Sequence, residues 1–244
     1  MSEPKWNVAD ADIELGLIYS SPAIHERRRR ILDETRKMIQ ERGLSGFSMD
    51  EIGKRAGVAK RTLYNAYQTK ERMIAIAINE YFQRYLAQIP FTGEVGSLQR
   101  NVERIIYMVQ RDLQLRNYIG TIMSIYFSPD AGSSDIWNTM HKMTAEGHLE
   151  WVLPLRGKRQ LQPWVDPYAL ADDIVRACYA SLNDWCRGRI SDENVVFHVV
   201  RTFLTIAAGA TRGAARKEVE DMLLRFSTEG IPVPELPTRQ KRRS

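Results

Sequence analysis

The sequence predicts an all-α fold, and three observations support this prediction. Apolar residues recur at helical spacing along the chain, as in the stripe of Leu98, Val102, Ile105, Ile106 and Val109. Most such segments begin at a Ser, Thr or Asp and end near a Gly or Pro, which are the usual start and stop signals of helices. No segment shows the alternating pattern of a strand bounded by turn residues.

The first four helices are defined by clear start and stop signals. Ser21 and Pro22 begin a helix that Gly43 ends. Ser48 and Glu51 form a capping box, in which each side chain is expected to accept a hydrogen bond from the other's backbone. Gly57 separates this short helix from a second one over residues 59–67, and Thr69 caps a long amphipathic helix that runs toward Pro90.

Further helices fill the rest of the chain. We expect them to begin after Ser97 and to cover about 118–127, 134–153, 166–187, 191–210 and 214–226. Pro, Gly and charged residues follow the last of them. The predicted organisation is an N-terminal arm (1–20), a small three-helix domain (21–70), a larger helical domain (71–230) and a basic tail (231–244).

Composition excludes several classes of protein. The chain has 244 residues, of which 43% are hydrophobic and 27% charged, as in ordinary globular proteins. Cys178 and Cys186 are the only cysteines, so we expect neither a disulfide scaffold nor a Cys-only zinc site. No apolar run approaches the ~20 residues that span a bilayer, and residues 1–12 lack the pattern of a signal peptide. We therefore expect a cytoplasmic protein without a membrane partner.

The positive charge is concentrated in one segment. Residues 22–70 hold twelve Lys and Arg against six Asp and Glu, whereas the other 195 residues, including the basic C-terminus, carry a net charge of −1. A compact basic segment on a neutral body is the electrostatic footprint of a nucleic-acid-binding module. Arg27–Arg30 also fits a merely solvated helix face, so the charge has to be considered together with a motif.

The motif lies within this basic segment, where two short helices are joined by a tight turn containing Gly57. This arrangement is typical of a helix-turn-helix. Its expected inward residues are Ile52, Ala56, Val58, Leu63 and Ala66. The outer face of the second helix then carries side chains suited to base edges and phosphates, namely Lys60, Arg61, Thr62, Tyr64 and Asn65.

These residues resemble the DNA-binding domain of the TetR family of bacterial transcriptional regulators. The landmarks of the resemblance are Phe47, Ile52, Ala56-Gly57-Val58, Leu63-Tyr64, Tyr67 and Lys70-Glu71. The motif is specific, but it covers less than a quarter of the chain. The resemblance implies a three-helix DNA-binding domain followed by a helical ligand-binding and dimerisation domain.

The resemblance also implies roles for individual residues. Ser48, Tyr64 and Lys70 are expected to contact phosphates, and Lys60, Arg61, Thr62 and Asn65 to reach bases or backbone in the major groove. Tyr67 completes the expected DNA-contact set. The sequence departs from the family pattern at Ala59, Tyr67 and Gln68, of which Ala59 replaces the usual Ser or Thr cap.

The second domain is rich in aromatic and methionine side chains that suit a planar or apolar ligand. The residues expected to line a pocket are Tyr107, Tyr118, Ile122, Tyr126, Trp137, Met140, Trp151 and Trp185. His141 and His148 lie two helical turns apart, but ordinary packing accounts for them better than a metal site does. We predict no cofactor, and since no motif of an enzyme active site occurs, we predict no enzyme.

The function predicted from these features is a ligand-responsive repressor that binds a palindromic operator in double-stranded DNA as a homodimer. The expected inducer is a small apolar or aromatic molecule. The alternative is a DNA-bound interaction protein whose helical body docks another protein. A helical enzyme with an accessory DNA module would need convergent polar groups that the sequence does not contain.

Overall fold

The computed structural model describes residues 21–128 and 134–232, and across these ranges it contains ten helices and no strand. The helices are α1 (Pro22–Arg42), α2 (Met49–Ala56), α3 (Lys60–Tyr67), α4 (Lys70–Leu86), α5 (Leu98–Leu113), α6 (Arg116–Tyr126), α7 (Ser134–Gly157), α8 (Pro167–Cys186), α9 (Val195–Ala210) and α10 (Gly213–Glu229). The predicted all-α fold is confirmed. The predicted N-terminal arm and nearly all of the basic tail lie outside the described residues.

The described residues form two compact units. The first unit contains residues up to 83 together with 117–142, and the second contains 84–116 and the residues from 143 onward. Helices α4 and α7 therefore each contribute residues to both units.

The core of the first unit is formed where α1 packs against α2 and α2 packs against α3. Met38 and Ile39 of α1, Ile52 of α2 and Leu63 of α3 are all fully buried. Burial of such side chains is worth roughly 1.5–3 kcal/mol each, so these four contacts fix how the short helices are held.

The second unit is organised around α9, which packs against α5, α8 and α10. Phe203, at the centre of α9, is completely buried. The ring of Trp151 meets it edge-on at 5.5 Å, and the imidazole of His148 stacks on it at 5.5 Å. Aromatic contacts from α7 therefore complete the core of this unit.

Most of the expected helix caps are present. The Thr69 hydroxyl accepts a hydrogen bond from the Arg72 amide at 3.0 Å, and the Ser97 hydroxyl accepts one from the Arg100 amide at 3.1 Å. Asp166 accepts two backbone hydrogen bonds at the start of α8. Ser21 occupies its predicted N-cap position, but its side chain makes no capping hydrogen bond.

Two predicted boundaries are wrong. The helix expected to stop at Leu153 continues through Pro154 to Gly157. Trp151 and Leu155 are buried on either side of this proline, and the burial outweighs the one backbone hydrogen bond that the proline cannot make.

The helix expected to begin at Ser191 begins instead at Val195. The preceding residues form a turn in which Asp192 accepts hydrogen bonds from the Trp185 indole and from Arg116, both at 2.7 Å. These two contacts hold Asp192 outside the helix. Every helix in the described ranges is too short or too polar to span a bilayer.

Candidate nucleic-acid interface

The turn between α2 and α3 depends on two glycines. Gly57 has φ +67° and ψ +40°, the left-handed conformation that glycine adopts without steric cost. Gly53 lies against the turn so closely that a Cβ atom there would stand 2.8 Å from the Val58 carbonyl oxygen. The Val58 amide donates to the Gly53 carbonyl at 2.9 Å. A side chain at either glycine would therefore disturb the angle between the two helices.

Helix α3 presents one buried and one exposed face. Leu63 is fully buried, and the side chains of the opposite face are all exposed, as predicted: Lys60, Arg61, Thr62, Tyr64 and Asn65. Tyr64 is 44% exposed, which is high for an aromatic side chain. This face carries hydrogen-bond donors and positive charge suited to a nucleic acid.

Ala66 was expected to point inward, but it is exposed, and Val58 is only half-buried. The inward stripe of α3 is formed by Leu63 and Tyr67, which are four residues apart and therefore share a face. Ala66 precedes Tyr67 by one residue and turns about 100° away from that stripe.

Tyr67 belongs to the core rather than to the exposed contact surface. It is 3% exposed, and burial raises the pKa of its phenol to about 12, against a smaller lowering effect of the nearby Arg28 charge. We therefore correct its expected role as a DNA contact. The ring helps to hold α3 in place.

Lys60 is paired with an acidic residue of the neighbouring helix. Its ammonium lies 2.9 Å from the Asp50 carboxylate, and this hydrogen bond, with the attraction between the charges, raises the pKa of Lys60. Both side chains are more than half exposed, and an exposed pair of this kind contributes little stability. Lys60 is therefore able to exchange Asp50 for a phosphate.

Ser48 forms only half of the expected capping box. Its hydroxyl oxygen accepts a hydrogen bond from the Glu51 amide at 3.4 Å. The other half would be a hydrogen bond from the Ser48 amide to the Glu51 carboxylate. Instead, the Ser48 amide donates to the Met38 sulfur at 3.4 Å, and the Glu51 carboxylate accepts from Arg55 at 3.3 Å. A hydroxyl that accepts one hydrogen bond can still donate its own hydrogen, as a phosphate contact requires.

Lys70 is held in a defined position at the start of α4. Its ammonium donates to the Leu44 carbonyl oxygen at 3.1 Å and lies 5.2 Å from the centre of the Phe47 ring. Lys70 is also the first residue of α4, and the N-terminal amides of a helix attract anions.

Two contacts of this surface, Lys60 with Asp50 and Lys70 with Phe47, were not predicted from the sequence. Asp50 is ten residues from Lys60, and Phe47 is 23 residues from Lys70. Neither spacing is a helical contact distance, so only the fold brings these pairs together.

The residues expected to line a ligand pocket are divided between the two units. Those of the first unit are Tyr118, Ile122, Tyr126, Trp137 and Met140, and those of the second are Tyr107, Trp151 and Trp185. In the first unit, the Tyr126 and Trp137 rings stack at 5.6 Å, and His141 stacks on Trp137 at 4.5 Å. The Tyr126 hydroxyl and His141 Nδ1 are joined by a 2.7 Å hydrogen bond. His141 is thus an additional member of this aromatic cluster.

The second-unit members have well-defined structural contacts. The Trp185 indole donates to Asp192, and the Arg116 guanidinium lies 5.0 Å from its ring centre. The Tyr107 carbonyl accepts a hydrogen bond from the Tyr85 hydroxyl at 3.1 Å. Trp151 packs on Phe203 as described above. Their role in ligand binding stays a prediction.

The two histidines considered for a metal site have other partners. His148 is buried and shares a 3.1 Å hydrogen bond with Asn101, and burial lowers its pKa to about 3, so its ring is neutral. Within residues 21–128 and 134–232, no cluster of three metal-ligating side chains occurs.

Comparison with known proteins shows which regulators this chain is similar to. Residues 31–75 match the model of the bacterial regulatory proteins of the tetR family. The HTH-type transcriptional repressor KstR of Mycobacterium tuberculosis is 26% identical over 189 residues, covering 76% of this chain and 80% of the repressor.

Two solved structures share the fold. A TetR transcriptional regulator from Rhodococcus sp. RHA1 superimposes with a TM-score of 0.54 at 19% identity, over 75% of this chain and 97% of that one. The TetR-family repressor FadR of Thermus thermophilus, solved with lauroyl-CoA, gives a TM-score of 0.51 at 18% identity, over 87% of this chain and 98% of that one. In its helix-turn-helix, its helical body and its match to the family model over residues 31–75, the chain resembles the TetR family of bacterial regulatory proteins.

Proposed function

We propose that the chain is a ligand-responsive transcriptional repressor that reads operator DNA with α3. The observation that carries this proposal is the exposed face of α3, where Lys60, Arg61, Tyr64 and Asn65 stand above a fully buried Leu63. A rigid short helix with cationic and amide side chains on its outer face fits the major groove. Such a protein is a transcription factor and not an enzyme, and it acts in the cytoplasm, where its operator lies.

The contacts divide into two kinds. Ser48 and Lys70, on either side of α3, and Tyr64, on α3 itself, bind phosphates, which sets the position of the protein on the duplex without reading sequence. Lys60, Arg61, Thr62 and Asn65 lie on α3 itself and reach bases or the adjoining backbone. Arginine to guanine and asparagine to adenine are the pairings that the major groove favours, so Arg61 and Asn65 supply most of the specificity.

The repressor acts as a homodimer on a palindromic site. The pair α8 and α9 supplies the dimer contact, since α9 is the most apolar helix of the second unit and both helices carry small residues on their exposed faces. A two-fold axis through a four-helix contact places two recognition helices roughly 34–36 Å apart, or at a multiple of this distance. Residues 21–70 then form the DNA-binding domain and 71–230 the ligand-binding and dimerisation domain.

The inducer is a small apolar or aromatic molecule bound by the second domain. Two observations support this proposal. The stacked rings of Tyr126, Trp137 and His141 form an aromatic cluster of the kind that packs against planar or apolar ligands. The similar repressor FadR was solved with lauroyl-CoA, which carries an apolar acyl chain. The ligand acts by binding one dimer geometry more tightly than another, so that the two recognition helices no longer match successive grooves.

The proposal is tested by sequencing the DNA that the purified protein retains from a random duplex pool. We expect enrichment of one inverted repeat with half-sites about one helical turn apart. The pool retained by the wild type is compared with the pool retained by Arg61→Ala, which changes an exposed side chain and leaves the core intact. A retained pool with the composition of the starting pool would refute sequence-specific binding.

A further inference from the structure

An open pocket of about 400 Å³ lies on the second unit, and its lining includes none of the residues proposed for DNA or inducer binding. It is bounded by the end of α7, by the segment that leads into α8, and by the turn between α9 and α10. Its walls carry three arginines, Arg156, Arg159 and Arg212, and one tryptophan, Trp164. A volume of this size falls in the range of small-molecule sites, which is about 300–1,000 Å³.

The backbone around the pocket is held by hydrogen bonds between segments distant in sequence. Leu161 and Thr211 form an antiparallel bridge, and the Gln162 amide donates to the Ala210 carbonyl at 2.9 Å. The Arg212 amide donates to the Gln160 carbonyl, also at 2.9 Å. The pocket is therefore built into the fold and does not depend on a loose loop.

The charge in this pocket is positive. Its carboxylate, Asp166, is engaged in capping α8, where one oxygen accepts from the amides of Tyr168 and Ala169 at 3.0 Å. Arg212 donates through Nε to the Arg159 carbonyl at 2.9 Å, which uses one of its five N–H hydrogens and fixes the direction of the others. The lining thus has three arginines against one aspartate, and this net positive charge favours an anion.

Arg159 is kept in an unfavourable backbone conformation. Its φ is +53°, a left-handed value that only glycine adopts without steric cost. Glycine would satisfy the turn better, so the arginine side chain is present at the expense of local strain. Strain of this kind is concentrated at functional sites.

Trp164 supplies an apolar surface beside these charges. It is 77% exposed, which is unusual for the largest apolar side chain, and it lies between Pro163 and Val165 on the wall of the pocket. An exposed indole is a stacking platform for planar rings, and it also attracts cations to its face.

We propose that this pocket binds a small ligand that joins a planar aromatic ring to a phosphate, of which a mononucleotide is the simplest example. The ring stacks on Trp164, and the phosphate is held by the guanidinium groups. A phosphate dianion matches the net positive charge of this lining better than a singly charged carboxylate does, because three arginines stand against one aspartate. This second ligand site is separate from the proposed inducer site and does not depend on it.

The test is calorimetric titration of the full chain with adenosine monophosphate, adenosine, inorganic phosphate and benzoate. We expect saturable binding of adenosine monophosphate that is at least tenfold tighter than binding of the other three. Trp164→Ala should weaken it about tenfold through loss of stacking. Arg159→Gly should weaken it by a similar factor without lowering the thermal midpoint, because glycine adopts the same φ without strain. Arg216→Gln on α10 is the matched control and should bind as the wild type does.

Three results would overturn the proposal. The first is tighter binding of benzoate or adenosine than of adenosine monophosphate. The second is binding of adenosine monophosphate that Trp164→Ala and Arg159→Gly leave unchanged. The third is a loss of dimer stability in Trp164→Ala, measured by sedimentation, without any binding of adenosine monophosphate to the wild type, because Trp164 would then be covered by a second copy of the chain.

Discussion

Lys70 offers a quantitative test of how the DNA-binding surface works. Its ammonium is fixed by the Leu44 carbonyl at 3.1 Å and by the face of the Phe47 ring, at the point where α4 begins. The variant Lys70→Met keeps an aliphatic side chain on the Phe47 ring and removes the charge together with the hydrogen bond to the Leu44 carbonyl. We expect weaker binding to every DNA sequence, since a phosphate contact carries no information about the bases.

The magnitude follows from counterion release. One phosphate contact contributes about 0.9 to the slope of log K against log salt concentration. Between 50 and 200 mM salt, the affinity of the wild type should therefore fall about 3.5-fold more than that of Lys70→Met for each monomer bound.

Fluorescence anisotropy measures the affinity and its dependence on salt. The titrations use two duplexes of unrelated sequence at salt concentrations between 50 and 200 mM. Lys217→Met, an exposed lysine on α10, is the control and should keep the wild-type slope. The assignment fails if Lys70→Met keeps the wild-type slope, or if its loss of affinity is confined to one of the two duplexes.

Three further predictions address specificity, folding and pH. Arg61→Ala should relax the preference at one base pair of each half-site by about 1–3 kcal/mol, as measured by competition among single-base variants of the selected duplex. Leu63→Ala should lower the free energy of unfolding by about 2–5 kcal/mol, because it empties a fully buried position, and urea denaturation measures this loss. The pKa of His148 is lowered to about 3 by burial, so the unfolded chain takes up a proton first as the pH falls below 6.5. Between pH 6.5 and about 3, this group should therefore lower the free energy of unfolding by about 1.4 kcal/mol per pH unit. Urea denaturation at several pH values measures this dependence. A His148→Gln variant whose unfolding free energy changes with pH as steeply as that of the wild type would contradict the prediction.

The helix-turn-helix was predictable because its determinants are local. The turn requires a left-handed backbone conformation, which Gly57 supplies, and Ser48 caps α2. Ile52 and Leu63 are each buried within a helix of eight residues. Each of these features is visible in a few consecutive letters. Thr69 and Asp166 identified the starts of α4 and α8 in the same way.

Features that depend on distant contacts were not predictable. Ala66 and Tyr67 are adjacent, and only the packing of α3 shows which of them is buried. Pro154 was interpreted as a stop signal, yet the buried residues on either side carry the helix past it. The pairing of Asp50 with Lys60 likewise depends on the angle between two helices, which no sequence spacing records.

The exposed face of α3 is the surface proposed to read DNA. The most direct measurement compares the wild type with the triple variant Lys60→Ala, Arg61→Ala, Asn65→Ala on the duplex selected from the random pool. Because all three side chains are exposed, the thermal midpoint should be unchanged while affinity for the selected duplex falls about 100-fold or more. A folded triple variant that binds the selected duplex as tightly as the wild type would contradict the claim.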